Sequence, residues 1–444
     1  STLTIGGSGT TVQLGTGASQ TGFGRTGTVD WQTGDIKTST FTATSGEGYF
    51  CNTTSGGFTV NLPSGSAGAI VSIQDYNNTF DSHALIVTPA SGEKINGGTA
   101  SKSVSLTTEG QGVTLVYIDS TVGWRSVQEN EFNEAGEDYI TATGGTITTC
   151  GNCKIHTFTG PGTFCVSALA SCSANDLVSY MVVAGGGGAG TGSNVGGQTA
   201  GAGGGAGGFR EVKSPVTPYT ASPLCGHGTP GNRITVTATG FPITVGSGGA
   251  GGCQTGPFSS GFPGTVGSNS IFSSITSAGG GKGGAGGPSP GGDGGNGGSG
   301  GGAGANNCTA GSGNTPSVTP AQGTNGSTGS CNAGGGGGGA TAAAGASSNN
   351  NGGDGGNGAT TGISGSNVAR AGGGGGANKP TNTAGQGGSG GGGAGGSGPS
   401  PTPGTNGTAN TGGGGGGAVS DSNPTSTAGG NGGSGIVIIR YKFQ

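Results

Sequence analysis

Residues 334–339 are six consecutive glycines, and the chain returns from a loop at 341–351 through Gly352-Gly-Asp-Gly-Gly-Asn-Gly358. The first run has no side chains, and the second carries one, Asp354 or Asn357, every third residue. Glycine's poor helix propensity and this period of three exclude an α-helix, and a run without side chains has no face to pack as an ordinary strand. Collagen shares the period but keeps one glycine per triplet and needs proline. The geometry left is glycine in the polyproline II helix, with three residues per turn and a rise of about 3.1 Å per residue. That helix makes no internal hydrogen bonds, so its buried N–H and C=O groups must pair with neighbouring helices on every side. The expectation is a polyglycine II bundle.

Two kinds of run alternate. Bare runs at 184–190, 246–252, 278–287, 334–340, 372–377 and 412–418 are followed by decorated runs at 201–208, 264–267, 291–304, 352–358, 385–398 and 429–435, making six hairpins. Bare runs suit the interior, and runs with a polar residue at every third position, such as Asp293, Asn296 and Ser299, suit an outer layer with one wet face. The β-type stretches 177–183 (LVSYMVV) and 436–443 (IVIIRYKF) bracket the region and predict a β base. Bare runs then lead away from the base and decorated runs return. This puts loops 191–200, 253–263, 288–290, 341–351, 378–384 and 419–428 at a free tip, and loops 209–245, 270–277, 305–333, 359–371 and 399–411 at the base.

The remaining sequence organises around this region. Residues 1–27 read as an attachment or fibrous segment, and 28–127 as an all-β module of short strands in which Trp31, Tyr49, Phe58 and Trp124 are core or interface aromatics. Residues 128–138 form an acidic linker whose carboxylate spacing does not match a calcium-binding loop, and 139–444 form the glycine-rich domain. The fold class expected is therefore an all-β fibre module plus a polyglycine II sandwich on a β base, with no α-helix of note.

With 118 glycines in 444 residues and only 7% charged residues, composition alone would signal disorder, but the regular alternation argues for order. A net charge of −4 without a basic block disfavours nucleic acid and anionic membranes, and no apolar run is long enough to insert in a bilayer. The start, Ser1-Thr-Leu-Thr-Ile, has no charged and then apolar stretch of a secretory signal. Eight of the nine cysteines follow the acidic linker, where disulfides would staple a region poor in apolar side chains. Cys308 and Cys331, flanking an expected base loop, are the preferred pair. Cys150, Cys153, Cys165 and Cys172 are an alternative four-thiolate metal site, although the second pair has the wrong spacing for a zinc knuckle. Cys51 reads as a buried thiol.

No catalytic constellation stands out. His83, His156 and His227 lack a surrounding motif, charged residues are sparse between 278 and 435, and the short Gly-Gly-x-Gly matches lack the context of a phosphate loop. The expectation is a protein that is not an enzyme and takes no cofactor or metal.

Two stretches resemble known families. Val29-Asp-Trp-Gln-Thr-Gly-Asp, Phe41-Thr-Ala-Thr-Ser-Gly-Glu-Gly-Tyr-Phe and Gly110-Gln-Gly-Val-Thr-Leu-Val-Tyr-Ile-Asp look like a module of tail-fibre proteins from marine bacteriophages. His156-Thr-Phe-Thr-Gly-Pro-Gly, Tyr180-Met-Val-Val-Ala-Gly-Gly-Gly-Gly and the ending Gly432-Gly-Ser-Gly-Ile-Val-Ile-Ile-Arg-Tyr-Lys resemble the glycine-rich C-terminal domain of phage fibres. In kind, the glycine part is similar to tail-fibre adhesins whose polyglycine II sandwich displays variable loops. The resemblance implies a homotrimeric virion protein, assembled in the host cytoplasm and extracellular after lysis, with other virion tail proteins and a host cell-surface receptor, protein or glycan, as partners. Tip-loop candidates for receptor contact are Phe258, Phe262, Asn349, Asn350, Asn351, Asn378, Lys379, Asp421 and Asn423, with the two phenylalanines either anchoring a receptor or plugging the bundle end. A non-adhesive capsid or lateral fibre is the alternative function. An ice- or surface-binding protein would need a flat threonine ladder, whereas the sequence spaces Asp, Asn and Ser along separate runs.

Overall fold

The computed structural model describes residues 29–127, 139–193, 199–253, 261–287, 291–306, 308–348, 351–379, 383–398, 402–420 and 427–444. The chain divides into two compact units, Ser1–Glu137 and Asp138–Gln444. It is largely β-sheet, and the only helices among the described residues are short 3-10 turns.

The first unit contains β1 (Asp30–Trp31), β2 (Phe41–Thr42), β3 (Glu47–Cys51), β4 (Thr59–Asn61), β5 (Ile70–Asp75), β6 (Leu85–Thr88), β7 (Val104–Leu106), β8 (Gly112–Asp119) and β9 (Gly123–Ser126). The early strands alternate between two sheets, ordered β1-β3-β5-β8-β9 and β2-β4-β6-β7, and pair in parallel within each. Period-two side chains then meet between the sheets, where Tyr49, Val71, Ile73 and Leu115 pack with Val60, Leu85 and Leu106. Trp124 is fully buried, and its indole N–H donates to Glu93 at 2.9 Å. Cys51 is a buried thiol, pushed up to about 12 by desolvation.

The second unit contains β10 (Thr141–Thr143), β11 (Thr146–Cys150), β12 (Cys153–Phe158), β13 (Gly162–Ala168), β14 (Ser179–Val183), β15 (Phe209–Val212), β16 (Gly240–Thr244), β17 (Ser270–Phe272), β18 (Ile275–Ser277), β19 (Ala359–Thr361), β20 (Val368–Arg370) and β21 (Ile436–Lys442). Sheets β10-β13-β16-β17-β18 and β11-β12-β21-β14-β15 enclose a core that includes Phe158, Phe164, Tyr180, Phe272 and Ile439. The terminal strand β21 is central in its sheet, with Ile438 opposite both Thr157 and Met181. The stretch 234–238, which alternates apolar and polar residues, forms only the bridge Leu177↔Thr235. Its alternation is real, because Ile234 and Val236 enter the core, but the segment lies at a margin where it bonds only the chain around Asp176 and Val178.

The glycine runs leave this base and return to it, bonded sideways to one another. In the run beginning at Ala184, the N–H groups of Gly185 and Gly188 donate to Ser268 and Thr265, those of Gly186 and Ala189 to Gly433 and Gly430, and those of Gly187 and Gly190 to Gly205 and Ala202. The carbonyls rotate in the same way, accepting from the runs at 249–252, 280–286 and 415–418. Six neighbouring runs therefore surround this one, and its partners repeat every third residue. A Cβ added at Gly185, Gly186 or Gly187 would collide with the backbone of Ser247, Gly413 or Gly281 respectively, so at these three positions, which face three directions around the run, only glycine fits.

Several expected features are corrected. Run 201–208, expected on the outside, is fully buried and has six neighbours, because its decorations are Ala202 and Ala206 rather than polar groups. Run 334–340, expected to lead outward, runs towards the base: Gly334 N–H bonds Ala377 O and Ala340 N–H bonds Ala371 O, and 371–377 starts directly after β20. Bareness reports how many neighbours a run has and not its direction. The expected base loop 305–333 instead contains two further runs, one bonding Gly294 to Thr309 and the other bonding Gly300 to Thr324 and Ala303 to Ser327. Runs 291–304 and 385–398 each fold back on themselves, shown by Gly304 N–H to Gly292 O and Gly395 N–H to Gly385 O. The expected base loop 399–411 holds another run, in which Thr405 bonds Ala394 and Thr408 bonds Gly391.

Candidate functional site

Glycine content around the bundle follows the number of neighbours. In the perimeter run near 322–330, Gly323, Gly326 and Gly329 point a missing Cβ at Gly298, Gly301 and Gly304, while the third column, Asn325 and Thr328, is exposed. In run 351–358, two columns are glycine and the third is Asn351, Asp354 and Asn357, all exposed. The exposed Asp and Asn side chains mostly complete the lattice. Asp293 Oδ1 accepts from Thr309 N–H at 2.7 Å, Asn296 Oδ1 from Ser312 N–H at 2.7 Å, and Asp354 Oδ1 from Gln386 N–H at 2.7 Å.

The ends of the runs opposite the base are joined by isolated bridges, Thr191↔Ala418, Ala200↔Val419, Cys253↔Ala428, Ala333↔Asn378, Asn351↔Thr383 and Asn378↔Ser397. This tip is where chain turns give side chains room. Phe262 sits there, 40% exposed, with its N–H donating to Thr191 Oγ1 and its C=O accepting from Thr191 N–H, both at 2.9 Å. Asn351 is exposed, and Lys379 is half-buried with its N–H bonded to Asn332 O. Asn378 is a correction: its side chain is fully buried, and Nδ2 donates to Thr383 O at 3.3 Å, so it stabilises the tip from inside. Phe258, Asn349, Asn350, Asp421 and Asn423 lie outside the described residues.

Cys308 and Cys331, the expected disulfide pair, are both free thiols. Cys308 and Cys331 do not flank a base loop. The N–H of Asn306 bonds Ser330 O, which brings the two chain segments together at the tip, where Cys253 and Cys331 are exposed. The single glycines at 323, 326 and 329, one per triplet, are the sequence signal that 322–330 is a perimeter run leading up to Cys331 and not a loop. Among the described residues no three His, Cys, Asp or Glu converge as metal ligands, and no helix is long and apolar enough to cross a membrane.

At the base, His156 is buried in the core, with Nδ1–H donating to Gly144 O at 2.7 Å and Nε2 accepting from the Tyr441 hydroxyl at 3.1 Å. Desolvation lowers its pKa below the ordinary value. The carboxylate of Glu211, also buried, accepts from Ser222 N–H at 2.8 Å and from the Thr361 hydroxyl. Arg440, buried behind them, donates to Pro218 O at 2.9 Å and lies over the Tyr219 ring. Glu211, through Thr361, and Arg440, which also donates to Gly362 O and Ile363 O at 3.4 Å, tie the β19–β20 hairpin to the sheets.

A search of curated proteins finds no match. The family model described as "Glycine-rich domain" matches residues 157–442, from within β12 to the end of β21, so that it takes in the base strands from β13 onward and every glycine run described above. Spanning more than half of the sequence, that match makes this chain a member of the glycine-rich domain family.

Proposed function

We propose that the glycine runs form a polyglycine II bundle and that the chain is a bacteriophage tail-fibre protein, adsorbing to the host through the loops at the bundle tip. The observation that carries this reading is the exclusion of side chains from the lattice. Added Cβ atoms on the interior runs meet neighbouring backbone, so recognition chemistry has room only where the chain turns or on the outer columns. Of these, the outer Asp and Asn columns are largely occupied in bonding neighbouring N–H groups. Loops on a rigid scaffold are a common place for binding residues. The chain enters the second unit through β10 and leaves through β21, both in the base, which keeps the tip free of chain ends within that unit. In this reading the protein is a homotrimeric virion component, attached to other tail proteins, that meets a protein or glycan receptor on the host surface.

The test is an exchange of the tip turns around 349–351, 379–383 and 420–427 for those of a related fibre, followed by host-range and adsorption measurements. Altered host range with unchanged thermal stability supports the reading. Unchanged adsorption after the exchange, and after deletion of the gene, overturns it in favour of a non-adhesive virion part.

A further inference from the structure

Seven Asn-Gly steps occur in the sequence, at Asn96, Asn296, Asn325, Asn351, Asn357, Asn406 and Asn431. This dipeptide is the one most prone to spontaneous deamidation, because glycine leaves its own N atom unshielded. The backbone N of the glycine attacks the asparagine Cγ and gives up its proton, ammonia leaves, and the resulting succinimide adds water to open as aspartate or isoaspartate. The attack requires the side-chain amide to swing back over the following peptide.

Six of the seven amides are held away from that position. In each, the side-chain Oδ1 accepts a backbone N–H from another segment: Asn96 from Ser126 at 2.9 Å, Asn296 from Ser312 at 2.7 Å and Asn325 from Gly313 at 2.8 Å. Asn357 accepts from Ser389 at 3.1 Å, Asn406 from Asn431 at 2.8 Å, and Asn431 from Gly251 at 2.8 Å. The attacking groups are held as well, since the N–H of Gly297, Gly358 and Gly432 donate to Ser312, Ser389 and Gly249. Deamidation at these steps must break a bond on each side of the reacting pair.

Asn351 differs. Its side chain is exposed and makes no hydrogen bond among the described residues, although its backbone N–H bonds Ser348. One bond, from Gly352 N–H to Thr383 O at 3.0 Å, restrains the attacking atom. We propose that Asn351–Gly352, at the bundle tip, is the deamidation site of the folded protein, and that hydrogen bonds to the side-chain Oδ1 shield the other six steps. The product places a negative charge at the tip, and its isoaspartyl form lengthens the backbone where Asn351 bridges to Thr383.

The full chain is incubated at mildly alkaline pH and mapped by acid proteolysis and mass spectrometry over time, once folded and once in denaturant. In the folded protein Asn351 converts faster than each of the other six by roughly fivefold or more, the factor corresponding to one ordinary hydrogen bond. In denaturant the seven rates converge. Asn351→Gln abolishes the fast phase of ammonia release while the six slow sites keep their rates. Equal rates at all seven sites in the folded chain, or an Asn351 rate at or below the others, overturn the proposal.

Discussion

Asp354 Oδ1 and the backbone N–H of Gln386 are joined by a hydrogen bond of 2.7 Å, and three residues further on Asn357 Oδ1 accepts from Ser389 N–H at 3.1 Å. The same Oδ1 also takes the Ser389 hydroxyl at 3.0 Å. The side-chain carbonyls occupy the places that a further glycine run would fill with its own C=O groups. An Asp or Asn at every third position therefore terminates the lattice by imitating the next run.

Removing that imitation leaves an amide to water alone. Asp354→Ala is expected to lower stability by about 0.5–1.5 kcal/mol, the net worth of one hydrogen bond, while Asp354→Asn, which keeps Oδ1, stays near the original. Denaturant midpoints of the two variants check this. Equal losses in both would show that charge, and not the acceptor, is what position 354 supplies.

Interior glycines tolerate much less. A Cβ on Gly336 would collide with the carbonyl of Asp354, whereas one on Gly231 or Gly160 meets nothing within 4 Å. Gly336→Val is expected to cost at least the ~1–3 kcal/mol typical of overpacking and to reduce soluble yield, while Gly231→Ala leaves both unchanged. Thermal melts of purified variants separate the cases.

The sideways-bonded runs were legible in the sequence wherever two or three residues in every triplet are glycine, as at 184–190, 352–358 and 412–418, because glycine leaves the backbone open to neighbours on the sides it faces. It was illegible where one residue per triplet is glycine. Gly323, Gly326 and Gly329 face a single neighbour, and the intervening Thr324, Asn325, Ser327 and Thr328 make the stretch read as a loop. Direction was misread at 334–340 because glycine content carries no information about which way a run points. At the candidate site, Asn378 was indistinguishable in sequence from an exposed tip asparagine, and only the bridges from Ala333 and Ser397 bury it.

The base adds a pH dependence whose sign follows from His156. Its folded pKa lies below the ordinary histidine value of 6.5, so as pH falls through and below that value the unfolded chain takes up a proton that the folded chain resists. Its contribution is fully present above the unfolded pKa and is lost as pH drops towards the folded pKa. Protonating Nε2 would also remove the acceptor for the Tyr441 hydroxyl. The loss of stability between neutral and mildly acid pH should shrink in His156→Gln, as read from denaturation midpoints across that window. An identical pH profile in the variant would show that other groups set the slope.

Phe262 tests the functional reading directly. Its backbone is fixed by the reciprocal bonds to Thr191, while 40% of the residue remains exposed at the tip. Truncating an exposed ring should change stability by no more than about 0.5 kcal/mol. If the ring anchors a receptor, its loss removes an aromatic contact of the kind that contributes about 2 kcal/mol or more to an interface. Phe262→Ala is therefore expected to slow adsorption by roughly tenfold or more, on that magnitude, with an unchanged melting temperature. A variant that melts earlier but adsorbs normally would assign the ring to closing the end of the bundle, and receptor contact would then have to come from the other tip turns.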